Sequence, residues 1–298
     1  MASVTINTEE LYPQLQGKNI IITGGSTGIG EAAVKILHDN GATITLADVN
    51  DPAGIALSVS LSRVTYVHCD VSNWVSLSTV FKTALQNGPI DIVFSNAGVT
   101  GKETLLESEF SPEGDLLPPS FPDYDVNLTA SLYITKLSLH YFRLQRYGRL
   151  IYTGSAASYL DTPPLWVYTA AKHGVLGLMR SLRSQVGDWG DITVNMIAPW
   201  LTMTPMAATL GPKWGDRPIN TAEGVAKALV FAAVGREWRE GGINGEQEKG
   251  APVNGCGFWV GGDRVVELEE GTWKARKSWM GEKLAGAVLD GQKALGGW

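Results

Sequence analysis

Short apolar runs rich in β-branched residues alternate along this chain with longer segments of helical periodicity. A short apolar run bounded by turn residues is typical of a strand that is buried on both faces. Seven runs fit this description: Lys18–Thr23, Ala42–Asn50, Arg63–Val71, Ile90–Phe94, Arg149–Thr153, Ile192–Ile197 and Gly255–Val260. Their alternation with helical segments predicts an α/β fold with a doubly wound parallel sheet of about seven strands.

Helical patterns fill most of the intervals between these strands. They span residues 31–41, 74–87, 126–147, 167–187, 221–234 and 283–295. The interval 101–125 has no such pattern, is rich in proline and acidic residues, and is predicted to be an exposed loop. We expect residues 1–263 to form one domain, and residues 264–298 to form an extension that packs on this domain or on a neighbouring subunit.

A glycine-rich turn leads from the first predicted strand into the first helix and reads Gly-Gly-Ser-Thr-Gly-Ile-Gly. Glycines let the backbone approach a pyrophosphate closely, and the following helix offers free N–H groups and the positive end of its dipole. The strand, turn and helix therefore predict a dinucleotide phosphate site. Its residues would be Gly24, Ser26, Thr27, Gly28, Ile29 and Gly30.

Two other motifs resemble this turn. Residues 24–28 also fit the G-x-S-x-G nucleophile elbow of α/β-hydrolases, with Ser26 as the nucleophile. Such an elbow usually follows several strands, whereas one strand precedes this turn, so a hydrolase is the less favoured reading. A P-loop ends in Gly-Lys-Ser or Gly-Lys-Thr, and because this turn ends in Gly30 and Glu31, a P-loop is excluded.

The second predicted strand ends near an acidic residue, Asp48. A carboxylate at this place can accept both hydroxyls of an adenosine ribose and repels a 2′-phosphate. No arginine or lysine occurs between Thr43 and Ser62 to bind such a phosphate. The sequence therefore favours NAD over NADP, although an ordinary turn residue is the alternative interpretation of Asp48.

Tyr168 and Lys172 are four residues apart in a predicted helix, so both side chains project from one face. A phenol has a pKa near 10, and a neighbouring ammonium favours the phenolate and lowers that pKa. The hydroxyl of Ser155, after the fifth strand, can hold the oxygen of an alcohol or ketone. These three groups predict a proton-transfer site, although a tyrosine and a lysine at this spacing are more often a surface pair.

Composition restricts the class of protein further. The 298 residues are 44% hydrophobic and carry a net charge of −6 with a pI near 5.3, which argues against nucleic-acid binding. Two cysteines, Cys69 and Cys256, give no disulfide framework and no metal-ligand spacing, so no metal is expected. Neither a signal peptide nor an apolar run of membrane-spanning length is visible, so we expect a cytoplasmic protein without a membrane partner.

Together these motifs resemble the short-chain dehydrogenase/reductase family, in its order and at its usual intervals. The matching residues are Thr23, Gly24, Gly28, Gly30, Asp70, Asn96–Gly98, Asn127, Ser155, Tyr168, Lys172, Asn195, Ile197, Pro199 and Thr204. Within the family, the C-terminal extension is similar to that of fungal NAD-dependent alcohol dehydrogenases of the prostaglandin-dehydrogenase-like group. The resemblance implies a Rossmann-type fold and an assembly of two or four identical chains.

The resemblance also implies roles for individual residues. Tyr168 would be the general acid and base, Lys172 its pKa partner and a ribose ligand, and Ser155 the anchor of the substrate oxygen. Asn127 would hold a water that relays protons from Lys172 to solvent. Further cofactor contacts would come from Asp48, Val49, Asp70, Val71, Asn96, Ala97, Gly98, Pro199, Thr202 and Thr204.

The expected substrate pocket is apolar and aromatic. Its residues would be Ser155, Tyr159, Trp166, Trp200, Met203 and Met206, with residues 203–220 as a lid. Trp200 departs from the family, which usually has glycine after this proline, and is expected to reshape the pocket floor beside the nicotinamide. A bulky apolar substrate is therefore expected.

The resemblance implies an NAD-dependent oxidoreductase that interconverts a secondary alcohol and a ketone in fungal secondary metabolism. Two alternatives remain open at this point. One is a family member that binds NAD without redox turnover, as a regulator or a cyclase-like catalyst. The other is an NADPH-dependent ketoreductase, which the acid at position 48 disfavours.

Overall fold

A computed structural model describes residues 2–101, 104–208, 211–238 and 249–294 of the chain. It contains eleven strands: β1 Ala2–Val4, β2 Asn19–Thr23, β3 Thr43–Asp48, β4 Val64–His68, β5 Ile92–Ser95, β6 Tyr147–Thr153, β7 Asp191–Pro199, β8 Arg236–Trp238, β9 Lys249–Pro252, β10 Gly257–Gly261 and β11 Arg264–Glu267. Nine of them form one sheet in the order β1-β11-β10-β7-β6-β5-β2-β3-β4. The seven predicted strands are its parallel part, which confirms the predicted fold class.

Helices cover both faces of this sheet. They are α1 Thr8–Leu11, α2 Gly28–Asp39, α3 Asp51–Ser60, α4 Trp74–Ala84, α5 Pro122–Tyr124, α6 Ala130–Gln145, α7 Trp166–Leu182, α8 Gly211–Trp214, α9 Ala222–Val234, α10 Glu269–Met280 and α11 Glu282–Ala294. Alternate residues of β2 show the two-sided burial: Ile20 and Ile22 pack with α2 and α9, and Ile21 packs with α4, α6 and α7. The core therefore lies in two apolar layers, one on each face of the sheet.

The edge of the sheet next to β10 was not predicted. Gly262 and Asp263, both with positive φ, form a two-residue turn that folds β11 back antiparallel on β10. β1 then pairs antiparallel with β11, so the first and the last strand of the described residues share this edge. The predicted domain end at residue 263 cuts through this hairpin, and the extension in the structure begins after Glu267. The small sheet of β8 and β9 was also not predicted.

The helix predicted over residues 126–147 begins differently in the structure. A π-helical turn, Asp125–Thr129, precedes α6 and contains Asn127. The helix ends where Arg146 takes the left-handed conformation with φ of 58°. π-helical turns are rare, and those that occur are frequently found at functional sites.

Two helices follow β11. The helix predicted over 283–295 corresponds to α11, and the end of that prediction, residue 295, lies outside the described residues. α10 was missed, because its sequence has two glutamates followed by three basic residues and no clear apolar stripe. Within the described part of the chain, no helix has the length and apolar character needed to cross a bilayer.

Candidate active site

Ser155, Tyr168 and Lys172 converge beyond the carboxyl end of β6. Ser155 caps a short 3-10 turn, accepting a bond from the Ala157 N–H, while the Ser158 hydroxyl accepts from the Ser155 N–H. Tyr168 lies near enough to Ser155 for that side chain to lower the pKa of the phenol. Lys172 Nζ lies 5.5 Å from the centre of the Tyr168 ring. The sequence pattern therefore corresponds to a compact cluster and not to a surface pair.

The electrostatics of this cluster differ from the expectation. Burial lowers the pKa of Lys172 to about 8, and its ammonium donates to the Thr153 carbonyl at 2.9 Å. Burial also raises the pKa of Tyr168; the bond from Ser155 acts in the opposite direction, and the negative charge of Asp123 adds to the increase. The prediction that the pKa of Tyr168 lies below its ordinary value is therefore wrong for this structure, because desolvation outweighs the interactions that favour the phenolate.

Asn127 lies beside Lys172. Its side chain is 1% exposed, accepts from the Val99 N–H at 3.2 Å and donates to the Val99 carbonyl at 2.8 Å. A Cβ on Gly98 would lie 2.9 Å from Asn127 Oδ1 and 3.6 Å from Lys172 Nζ. The absence of a side chain at Gly98 thus lets this asparagine and this lysine approach each other. The role of Asn127 in holding a relay water stays a prediction.

The glycine-rich turn packs against two other loops of the site. Gly24 and Gly28 have φ of +64° and +57°, a conformation that favours glycine. A Cβ on Gly24 would lie 2.7 Å from Ala97 Cα, and one on Gly28 would lie 3.0 Å from Thr204 Cγ2. The structure therefore brings together three segments that were predicted to bind the cofactor.

Ser26 distinguishes the two interpretations of this turn. Its side chain is 2% exposed, and its Oγ has no hydrogen-bond partner among the described residues. A hydrolase nucleophile needs a base within hydrogen-bond distance, which argues against the nucleophile elbow. A buried hydroxyl at the start of α2 instead fits a phosphate, which accepts bonds from hydroxyls and from free helix N–H groups.

Asp48 connects β3 to the glycine-rich turn. Its Oδ2 accepts from the Ser26 N–H at 2.9 Å, and its Oδ1 accepts from the Asn50 N–H at 3.0 Å. Val49 beside it is exposed. A carboxylate at this place, next to the N-terminus of α2, has the position expected for a ribose ligand.

Two polar residues of β4 near Asp48 were missed. Tyr66 donates to the Asp48 carbonyl at 2.9 Å and to Asp51 at 2.5 Å, and His68 Nδ1 lies 2.7 Å from the same Asp51 oxygen. Burial and the two aspartates raise the pKa of Tyr66, so it stays a neutral donor. Their spacing of two residues in a strand places both side chains on one face, and this was the available signal.

Asn96 connects three strands of the site. Its Nδ2 donates to the carbonyls of Thr23 and Gly24 at 3.1 and 3.0 Å, and its Oδ1 accepts from Thr153 Oγ1 at 3.0 Å. Asn96 therefore fixes the glycine-rich turn relative to the strand that leads to Ser155.

The remaining residues predicted to bind adenine have mainly local contacts. Asp70 is exposed and accepts from the backbone N–H and the hydroxyl of Ser72, and Val71 is buried in the core. Asp70 therefore shapes the turn after β4 at the carboxyl edge of the sheet.

The loop after Pro199 is held by a residue that was not predicted, Asn220. Its side-chain Nδ2 donates to the Trp200 carbonyl at 3.3 Å, to Thr202 Oγ1 at 3.3 Å and to the Val260 carbonyl at 2.9 Å. Its Oδ1 accepts from the Asp263 N–H at 3.1 Å. A fully buried asparagine with each group bonded fixes this loop to the end of β10. A lone asparagine before a helix cap gave no signal for this role.

Trp200 belongs to an aromatic cluster. Its ring centre lies 5.3 Å from that of Trp214 in α8 and 5.5 Å from that of Trp259 in β10. Met203 and Met206 are about half exposed on the same segment. Trp200 therefore packs the predicted lid on the sheet edge; residues 209–210 of that lid lie outside the described part of the chain.

Tyr159 has a different role from the predicted one. Its hydroxyl donates to Glu269 at 2.8 Å, and Glu269 also binds Arg180 and Arg183. This hydroxyl is therefore engaged with α10 of the C-terminal extension and is not available to a substrate. Trp166, the other predicted pocket residue of this region, begins α7 and is 45% exposed.

Comparisons with known proteins agree with this geometry. The family model described as short chain dehydrogenase matches residues 18–214. The short-chain dehydrogenase/reductase prx4 of Penicillium roqueforti is 35% identical over 289 residues, which cover 94% of this chain and 85% of the relative. The 5′-hydroxyaverantin dehydrogenase of Dothistroma septosporum is 33% identical over 261 residues, covering 78% of this chain and 85% of the relative.

A solved structure has the same fold at lower sequence similarity. The 3-ketoacyl-(acyl-carrier-protein) reductase from Brucella melitensis, complexed with NADH, superposes with a TM-score of 0.68 at 21% identity. The match covers 83% of this chain and 98% of the reductase chain. At this identity the likeness concerns the fold alone.

Proposed function

Because this chain belongs to the short-chain dehydrogenase/reductase family, a family of oxidoreductases that use a nicotinamide cofactor, we propose that it interconverts a secondary alcohol and a ketone with NAD. One observation carries the proposal: Ser155, Tyr168 and the buried Lys172 lie together, with Lys172 Nζ 5.5 Å from the centre of the Tyr168 ring. This cluster lies at the carboxyl edge of a parallel sheet, where ligands of such folds bind.

The residues of this cluster have different roles toward the substrate oxygen. Ser155 holds the oxygen by a hydrogen bond, and Tyr168 exchanges a proton with it. The bound nicotinamide supplies the redox chemistry by accepting or giving a hydride at the carbon. In the reducing direction the raised pKa of Tyr168 keeps the phenol neutral and ready to donate. In the oxidising direction the Lys172 ammonium stabilises the phenolate that accepts the proton.

The remaining site residues fit the cofactor. Ser26 and the N–H groups at the start of α2 would bind the phosphates, and Asp48 would bind the adenosine ribose. Asp70, Val71 and the segment 96–98 would lie along the adenine and nicotinamide halves. Thr202 and Thr204 would approach the nicotinamide, since Thr204 already contacts the glycine-rich turn.

We propose NAD and not NADP because the second strand ends in an acid. Replacing Asp48 with alanine should weaken NAD binding about 10-fold, roughly 1.4 kcal/mol, and leave NADP binding unchanged or tighter. Fluorescence titration with NADH and NADPH measures both. Asp39→Ala, which removes an exposed acid at the end of α2, is the control and should change neither affinity. Equal losses for both cofactors in Asp48→Ala would contradict the assignment.

The proposed substrate is bulky and apolar. Trp166, Met203 and Met206 are exposed beside the site, and Trp200 packs under the lid segment. The similarity to enzymes of filamentous fungi, one of them named for a hydroxylated substrate, 5′-hydroxyaverantin, supports a role in secondary metabolism. We further propose a cytoplasmic homodimer or homotetramer as the working form.

Turnover of a panel of apolar secondary alcohols and ketones, followed by nicotinamide absorbance, tests the proposal. We expect activity with NAD(H) in the natural protein, and a loss of about 1,000-fold or more in Tyr168→Phe, which lacks the exchanging proton. Full activity in Tyr168→Phe would overturn the mechanism. Tight NADH binding without turnover of any compound would favour a non-redox NAD-binding protein instead.

A further inference from the structure

Glu269, the first residue of α10, is a buried carboxylate outside the proposed catalytic cluster. It is 4% exposed and receives bonds from three side chains. Arg180 donates through Nε at 2.8 Å and a terminal nitrogen at 2.9 Å, Arg183 donates at 2.7 Å, and the Tyr159 hydroxyl donates at 2.8 Å. Burying a charge is unfavourable unless it is fully bonded, and these bonds meet that condition.

The three partners of Glu269 lie at the two ends of the segment that carries the catalytic cluster. Tyr159 directly follows the 3-10 turn that Ser155 caps. Arg180 lies in the last turn of α7, whose first turn carries Tyr168, and Arg183 caps the end of that helix. Glu269 therefore connects the Ser155 turn to the far end of the Tyr168 helix.

A glycine in β10 leaves space for the contact between Tyr159 and Glu269. A Cβ on Gly257, in β10, would collide with the Tyr159 hydroxyl and would lie 3.4 Å from Glu269 Cγ. Glycine at this strand position therefore allows the tyrosine to reach the carboxylate. The Arg180 guanidinium also lies 5.8 Å from the centre of the Tyr159 ring, a distance typical of a cation–π contact.

The protonation states of Glu269 and Tyr159 favour the hydrogen bond between them at neutral pH. Burial opposes ionisation of Glu269, but the hydrogen bond and charge of Arg180, the bond from Tyr159 and the charge of Arg183 together lower its pKa. Burial and the charge of Glu269 raise the pKa of Tyr159. At neutral pH the carboxylate is therefore ionised and the phenol is a neutral donor.

We propose that Glu269 is a positioning residue. Through Glu269, the C-terminal extension fixes the position of the Ser155 hydroxyl relative to the Tyr168 hydroxyl. The inference rests on the proposed function of that cluster. Misplacing a reacting group by about 1 Å can slow an enzyme by about 100-fold. The bonds of Glu269 to Tyr159, Arg180 and Arg183, which we call the brace, hold both ends of the segment and therefore affect the chemical step. The glycine-rich turn and Asp48 belong to other strands and do not depend on this brace.

Glu269→Gln tests the proposal, since it keeps the shape of the side chain and removes its charge. We expect kcat to fall about 10- to 100-fold, while the KM and Kd for NAD change by less than about 2-fold. Glu270→Gln is the matched control: it makes the same change one residue further along, in an exposed carboxylate paired with Lys274 at 2.6 Å. We expect this control to keep the natural kcat.

Tyr159→Phe provides a second test that removes a single hydroxyl. We expect kcat to fall about 3- to 10-fold with unchanged NAD binding, because one hydrogen bond of the brace is lost. An unchanged kcat in folded Glu269→Gln overturns the proposal, as does a parallel loss of NAD affinity, which marks a purely structural role. If Glu269→Gln does not fold, an unchanged kcat in Tyr159→Phe overturns it.

Tyr168→Phe separates this inference from the proposed function. If Tyr168→Phe is fully active, the catalytic assignment fails, and the positioning role fails with it. If Tyr168→Phe is inactive and Glu269→Gln keeps the natural kcat, the positioning role alone fails. Loss of activity in Tyr168→Phe together with a lowered kcat in Glu269→Gln supports both.

Discussion

Lys172 has an unfavourable position for stability that its proposed role explains. Its side chain is 3% exposed, and its ammonium has the Thr153 carbonyl as hydrogen-bond partner. Burial lowers its pKa to about 8 from a reference value of 10.5. Below pH 8 the folded protein therefore holds a positive charge that water solvates better in the unfolded chain.

Replacing Lys172 with methionine should abolish turnover and yet stabilise the fold at neutral pH. The lowered pKa corresponds to about 3 kcal/mol, and the unpaired Thr153 carbonyl offsets part of it, so we expect a gain of about 2 kcal/mol. The gain should be complete below pH 8 and disappear between pH 8 and 10.5, as the lysine becomes neutral in both states.

Denaturant unfolding between pH 6 and 10.5 measures this gain. Lys82→Met, which changes an exposed lysine of α4, serves as the control and should not gain stability in this pH range. A Lys172→Met protein that is less stable than the natural one at pH 7 would contradict the interpretation of the buried charge.

At this scale the sequence predicts contacts that are close along the chain better than contacts that are distant. Tyr168 and Lys172 were predicted because four residues make one helical turn. The raised pKa of Tyr168 was not, because it depends on burial and on Asp123, which lies in a segment predicted to be a loop. The partner of Tyr159 lies 110 positions further along, and no local pattern marks it.

At the scale of elements, the loop after β7 depends on one side chain that lies just before α9. Asn220 bonds to Trp200, Thr202, Val260 and Asp263 through its amide. It also pairs through its backbone with Leu201 and Met203. The loop that would face the nicotinamide is therefore held by hydrogen bonds of the protein itself.

Replacing Asn220 with aspartate should loosen this loop, because a carboxylate cannot donate to the three acceptors that the amide serves. We expect a loss of about 2–4 kcal/mol in unfolding free energy and a rise of about 10-fold in the KM for NAD. Asn254→Asp breaks a comparable amide network at Val194 and Arg183, away from the loop. This control should lose stability without a change in that KM, and a normal KM in Asn220→Asp would refute the role of the loop.

At the scale of the whole molecule, the parallel part of the sheet was predictable and its antiparallel edge was not. Each parallel strand is an apolar run next to a turn or helix signal, as in β2 and the glycine-rich turn. β1 has three residues and β11 has four, so neither is long enough to show a period. Their place depends on pairing between distant parts of the chain.

Deleting residues 1–5 should leave β11 as an unpaired sheet edge. The parallel core would remain, because β10 still pairs with β7, so NAD turnover at low temperature should be nearly unchanged. An exposed edge strand promotes association between chains, so we expect faster aggregation on heating. Light scattering during a thermal ramp measures this, and scattering equal to that of the natural protein would contradict the protective role of β1.

The pairing of β1 with β11 also constrains how the molecule is made. The partner of Ala2, Glu267, is made 265 positions later, as the paired register shows. β1 therefore stays unpaired until β11 is synthesised, and the Glu269 connection forms at the same stage. Chains that stop before this point hold a parallel core with an open edge, which exposes them to aggregation and to proteolysis. The segment from β11 to Glu269 thus completes both the sheet edge and the proposed positioning of the catalytic cluster.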